Sequence, residues 1–378
     1  MLHRPPCLVA NRSLLELSDR GKDLSQLEIE GKTLLGVRGD KMAIRHVQVP
    51  HGIETIAKEA FKGCSDLSTL KLPLTLTSIG SQAFRYCKSL RSLIVPDSVT
   101  SIGEEALSSN GLLYVKFPRG TTNVPLSCFE QCYHLQAITL PETITNIDKQ
   151  AFAKCDGFTS LTLPSSLKSI GKHSFYCNSN LKSLTLPDSL TRIGESAFMR
   201  SEKLKSITFP DSLTDVASGA FGHCDVLESA SLCDNLTVIT QGLFIRCPCL
   251  TSVKLPRKLE IIEKQAFALC SALTSITLPD TVAEVGSEAF LECTSLAYVS
   301  IPNAATIDKD AFKTCPSLTS VVLRPPLARV AFIVWALGSS RHRNNWELTT
   351  LKMSHNVLRL ITVLAAGSRH VNPDLTDI

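Results

Sequence analysis

The chain has 378 residues, a net charge of +4, and 44% hydrophobic but only 6% aromatic residues. Residues 50–325 carry 25 Lys and Arg against 26 Asp and Glu, a balance that argues against a nucleic-acid-binding surface, which needs a basic stripe to neutralise phosphates. Its apolar runs, Cys7–Ala10, Ala331–Leu337 and Val357–Ala366, fall short of the roughly 7–15 apolar residues of a secretory signal or the ~20 of a membrane span, so a soluble cytoplasmic protein is expected.

Residues 1–45 have no internal period and are expected to form an N-terminal cap. Residues 46–324 then repeat a 23-residue unit about twelve times. Proline marks the register at Pro50, Pro73, Pro96, Pro118, Pro141, Pro164, Pro187, Pro210, Pro256, Pro279 and Pro302, with Cys233 and Arg324 in the same place elsewhere. One-residue deletions after Leu107 and before Phe312 are the only breaks. Ahead of each proline runs an alternating stretch such as Leu181–Pro187, LKSLTLP. Apolar residues with Ser or Thr between them predict a half-buried strand, which proline ends because it cannot donate to a ladder.

Six residues after the proline comes Ile, as at Ile79, Ile102, Ile147, Ile170 and Ile193, and then Gly80, Gly103, Asp148, Gly171, Gly194, Thr240, Gly286 or Asp308. Gly, Asp and Thr are N-cap residues, so a helix of one or two turns is expected there, with pairs such as Ala197-Phe198 on its inner face. Such a unit cannot cover its own Leu, Ile and Phe; stacked on its neighbours it builds one continuous core. The expected fold is an α/β solenoid, a curved array with a parallel sheet on the concave face and short helices on the convex side.

The pattern L-x-x-I-x-x-x-A-F-x-x-C-x-x-L-x-x-L-x-L-P resembles the BspA-like class of leucine-rich repeats. The resemblance covers about residues 46–324. It implies a parallel sheet on the concave face, a binding surface rather than an active site, and, in many members, adhesion at bacterial or protist surfaces.

Nine cysteines fall three residues after the phenylalanine position: Cys64, Cys87, Cys132, Cys155, Cys224, Cys247, Cys270, Cys293 and Cys315. Asn110, Asn178 and Ser201 replace them in other units. Exchange among Cys, Asn and Ser fits small buried groups bonded to a nearby carbonyl. Obligate disulfides would leave partners stranded, so reduced thiols are expected. No pair has the C-x₂-C spacing of a zinc site, and no His recurs beside the thiols to activate them.

Gly31-Lys32-Thr33 looks like the end of a phosphate loop, but Gln26 stands where that loop needs glycine. With no other catalytic motif, neither an enzyme nor a cofactor is expected.

Function then falls to the concave face, where the residues four and two places before the proline point outward. In the middle of the array these are Ser and Thr, as in Ser160/Thr162, Ser183/Thr185, Ser206/Thr208 and Ser275/Thr277. The departures from that pattern are the candidate contact residues for another protein: His46, Gln48, Lys71 and Ile94, then Tyr114 and Lys116, and at the far end Lys254 and Tyr298. The main expectation is a non-enzymatic protein-interaction scaffold, and the alternative is a cell-surface adhesin binding matrix protein or glycan. The hydroxyl ladder also suggests an ice- or polysaccharide-binding face, which a curved sheet fits poorly.

After Arg324-Pro325-Pro326 the pattern changes. Residues 325–378 are expected to close the array with a helix capped at Asn344 or Asn345 and running to about Ala366. This tail resembles those of related repeat proteins from microbial eukaryotes.

Overall fold

The alternation before each proline folds as read. In a computed structural model that describes residues 26–324, Ser183–Thr185 is a strand with exposed ends and a buried Leu184, since side chains alternate across a strand. It pairs in parallel with Ser160–Thr162, Ser160 opposite Ser183 and Thr162 opposite Thr185. Each coil therefore sits on its neighbour in exact repeat register. The fold is a parallel-strand β-solenoid.

A second parallel ladder, which the sequence reading missed, uses the Ile that follows the proline turn. Ser169–Ile170 pairs with Arg192–Ile193, and Arg192–Ile193 in turn with Asp215–Val216. Two residues per coil are too few to show a period, although the β-branched Ile and Val suit a strand.

The expected convex helices are absent; the described residues contain no α-helix. After Gly194 the chain makes a pair of turns, with Ser196 at φ 51° and Arg200 at φ 65°. The amides of Ser196, Phe198 and Arg200 donate to the carbonyls of Ser218, Ala220 and Gly222 in the next coil, at 2.9, 2.8 and 2.9 Å. Between them Ala197, Met199 and Ser201 close three-residue turns on Gly194, Ser196 and Phe198. Every amide is used, and none goes to the i−4 partner of a helix.

Spacing explains the outcome. Neighbouring phenylalanines stack with ring centroids 5.0–6.2 Å apart from Phe129 through Phe312, close to the ~4.8 Å between strands. Helices need about 8–10 Å between axes, so a turn fits where a helix would not. Gly194 is there for the same reason and not as a cap: a Cβ on it would lie 2.6 Å from the backbone of both Gly171 and Lys172. The side expected to carry helices is thus built of turns, and the two sides are called the strand face and the turn face.

Before the first proline, β1 (Leu27–Glu30) and β2 (Thr33–Val37) form an antiparallel hairpin. β2 then pairs in parallel with Thr55–Ile56, so the two-residue ladder starts inside the segment read as non-repetitive. The expected C-terminal helix, and the cap residues before Gln26, lie outside the described residues.

Candidate binding face

The three-residue strands build the face from which function was expected. In Tyr114–Lys116 the middle residue, Val115, is buried and the flanking pair exposed. All eight candidate residues lie on this face with exposed side chains, Ile94 at 69%, Tyr114 at 48% and Tyr298 at 36%.

Pairing gathers six of them into two groups and leaves Lys254 and Tyr298 in two further, separate sheets. His46–Gln48 pairs with Thr69–Lys71, which sets Gln48 opposite Lys71; His46 Nδ1 lies 2.7 Å from Thr69 Oγ1. Ser92–Ile94 pairs with Tyr114–Lys116, which sets Ile94 opposite Lys116. Tyr114 donates its hydroxyl proton to Gln136 Oε1 at 3.0 Å. Lys116 Nζ is 3.2 Å from Asp97 Oδ2, and the backbone N–H of Arg119, then Lys116, hold the Asp97 carboxyl below the usual range. Lys254 and Tyr298 stand at the far end of the array. No hydrogen-bonded strand pairing joins Thr69–Lys71 to Ser92–Ile94.

A second feature at the far end was not foreseen. Ser252–Lys254 and Ser275–Thr277 belong to separate sheets. Their coils remain joined elsewhere, through the pairing of Ile261–Ile262 with Glu284–Val285 and the stacking of Phe267 on Phe290 at 5.3 Å. The stack is therefore closed on the turn face and open on the strand face. A cleft of about 590 Å³ lies in the opening, lined by Val253, Leu255, Leu273, Ile276 and Leu278 among Ser and Thr hydroxyls. Arg324, in the proline position of a later coil, reaches back over it, donating to the Leu278 carbonyl and pairing with Asp280 at 2.9 Å. The signal available in the sequence was that arginine in a proline's place.

Comparison with known proteins decides the family. The model of the BspA type leucine rich repeat region matches residues 40–157, 122–251 and 238–357. The chain belongs to the BspA-type leucine-rich-repeat family. It is similar to the solved structure of a leucine-rich repeat protein from Bacteroides ovatus ATCC 8483, at 28% identity and a TM-score of 0.64, over 74% of this chain and 79% of that one. A leucine-rich repeat protein from Eubacterium ventriosum ATCC 27560 matches at 21% identity and a TM-score of 0.52, over 79% and 90% of the two chains, and shows the fold alone. No curated protein matches. BspA-type repeats are generally protein-interaction scaffolds and generally non-enzymatic.

In this BspA-type array the thiols face inward. The thirteen described cysteines are free, and Cys249 is exposed while most are buried. Burial pushes Cys64 up to about 11 and Cys132 up to about 12, which removes them as nucleophiles, because the thiolate is the reactive form. Among the described residues no group of three or more His, Cys, Asp or Glu is placed to hold a metal ion, and no helix is long and apolar enough to cross a membrane.

Proposed function

We propose that the protein is a non-enzymatic interaction scaffold whose strand face binds another protein, with Ile94, Tyr114 and Lys116 at the centre of one contact surface. The observation that carries this reading is their juxtaposition: an exposed aliphatic, an exposed aromatic and a cation on adjacent paired strands. Interfaces are enriched in Tyr, and a hydrogen-bonded ladder offers these groups without an ordering cost on binding. The buried free thiols support a reducing, intracellular compartment. The amide of Asn235, in one of the two Asn-x-Ser/Thr sequons, is engaged with the Asp211 carbonyl at 2.5 Å, which also favours that compartment over a glycosylated surface protein.

The test compares the full chain with a Tyr114→Ala/Lys116→Ala variant as bait in extracts of its own cell. A partner that the native chain retains and the variant loses, at an unchanged thermal midpoint, is the expected result. Equal retention overturns this assignment of the contact surface. N-glycan on Asn235, or labelling of the protein from outside intact cells, overturns the intracellular reading in favour of the adhesin.

A further inference from the structure

The cleft beside Lys254 has the features of a slot for a missing strand. In the two preceding coil pairs the strands are joined in register, Ser206–Thr208 to Ser229–Ser231 and Ser229–Ser231 to Ser252–Lys254, and Leu232 N–H donates to the Lys254 carbonyl at 3.0 Å. Across the cleft the equivalent bonds are absent. The wall formed by the backbone of Thr251, Val253 and Leu255 and the opposing wall of Ser275 and Thr277 belong to unjoined sheets. In a parallel ladder every second residue turns both its N–H and its C=O towards one neighbour. Each wall thus presents a row of unpaired donors and acceptors, which is the condition under which a sheet edge recruits another chain.

Size and polarity agree with a polypeptide occupant. A three-residue extended segment fills ~480 Å³, taking strand spacing, rise and sheet thickness as about 4.8, 10 and 10 Å; the cleft holds about 590 Å³. Ala230 and Leu232, in the paired coil before it, are buried, whereas Val253 and Leu255 are only half-buried. The opening has therefore uncovered an apolar floor that an inward side chain would cover. Around the rim Arg257 is paired with Asp234 at 3.6 Å and Arg324 with Asp280 at 2.9 Å, while Lys254 is exposed and has no salt bridge among the described residues. The unmatched charge is positive.

We propose that this slot takes an extended strand from a partner protein, parallel to the coils, with apolar residues facing the floor and an acidic residue facing out beside Lys254. The insertion restores the ladder by main-chain pairing, while the alternate side chains give specificity. It rests on the reading of the strand face as a contact surface, but it places a second and chemically distinct contact at the opposite end from Tyr114.

Hydrogen exchange on the full chain tests it, with the synthetic peptide acetyl-Ser-Thr-Val-Glu-Val-Gly-amide as probe. A second peptide carries Lys for Glu, and a third carries Pro for both Val. In the free protein the amides of Val253, Leu255, Ser275 and Thr277 are expected to exchange at least about tenfold faster than those of Ser229–Ser231, as unpaired backbone does. Saturating Glu peptide should slow them about tenfold or more, the Lys peptide less, and the Pro peptide not at all. The exposed substitution Lys254→Glu should reverse the preference between the Glu and Lys peptides. Protection already present in the free chain, no protection at millimolar Glu peptide, or equal protection by the Pro peptide overturns the proposal. Protection that grows with protein concentration alone makes a second copy the occupant and overturns it too. The Tyr114→Ala/Lys116→Ala variant should keep its slot protection, so failure of that contact surface and failure of the slot read out separately.

Discussion

The Sγ of Cys270 donates to the carbonyl of Phe244, 26 residues back and one coil earlier, at 3.2 Å. Cys247 makes the same bond to Phe221 and Cys293 to Phe267, each at 3.2 Å. The thiol row is therefore a line of coil-to-coil hydrogen bonds beneath the phenylalanine stack. Its chemistry sets how the protein responds to base. A thiol whose folded value is raised favours the folded state fully below the unfolded value near 9. That contribution is lost as pH rises, through about 11 for Cys64 and about 12 for Cys132. Each fully buried thiol of this kind removes about 1.4 kcal/mol per pH unit in that window. Unfolding followed by circular dichroism should thus be flat from pH 7 to 9 and steep above it, and a Cys132→Ala variant should show a shallower alkaline slope. Below pH 9 a thiol reagent should label Cys249 far faster than Cys270.

Phe198 sits between Phe175 and Phe221 at centroid distances of 5.1 and 5.2 Å. Phe198→Ala should cost roughly 3–5 kcal/mol in denaturant unfolding, from lost burial and the cavity left behind. Because a solenoid's stability is carried between neighbours, exchange protection should fall in the flanking coils as well. Loss confined to residues 187–209 would contradict the shared core.

Gly194 separates the two accounts of the turn face. If it capped a helix, Gly194→Ser would stabilise the protein or leave it unchanged. Since a Cβ there meets the backbone of Gly171 and Lys172 at 2.6 Å, the structure instead predicts a loss of about 1–3 kcal/mol. A thermal melt of this one variant decides between them.

Thr314 is exposed and β-branched, yet has φ 57°, a region that costs an L-residue roughly 1–2 kcal/mol. Glycine avoids that strain but loses more entropy on folding, by about 0.5–1 kcal/mol. Thr314→Gly should therefore gain up to about 1.5 kcal/mol, read as a higher thermal midpoint; a lower midpoint counts against the turn geometry.

What could be read from the sequence followed from where one residue type answers to one constraint. Leu184 between Ser183 and Thr185 has to face inward, and the row of Cys, Asn and Ser has to sit in a small buried space. Gly194 was misread because the signals of a helix start and of a tight inter-coil contact are the same residue; only the distance to the coil behind tells them apart. The exposure of Tyr114 and Lys116 was foreseeable, since strand alternation dictates it. The slot was not, because Ser252 and Ser275 are the same residue as Ser206 and Ser229, which lie in joined strands. No strand position records the opening; the one mark of it in the sequence is at its rim, Arg324 in a proline's place.

The amides of the turn face point forward along the stack: Ser196, Phe198 and Arg200 each donate to the coil that follows. Those of the two-residue ladder point the other way, with Thr191 and Arg192 donating to the Lys168 carbonyl and Gly194 to that of Ile170 in the coil behind. The opposed peptide dipoles offset each other within every coil, whereas in an α-helix they add along the axis. Growth of the array by whole repeats therefore lengthens its surface without building a field between its ends. The charge a partner meets is set locally, by side chains such as Lys116 and Lys254, and not by how many coils lie beneath them.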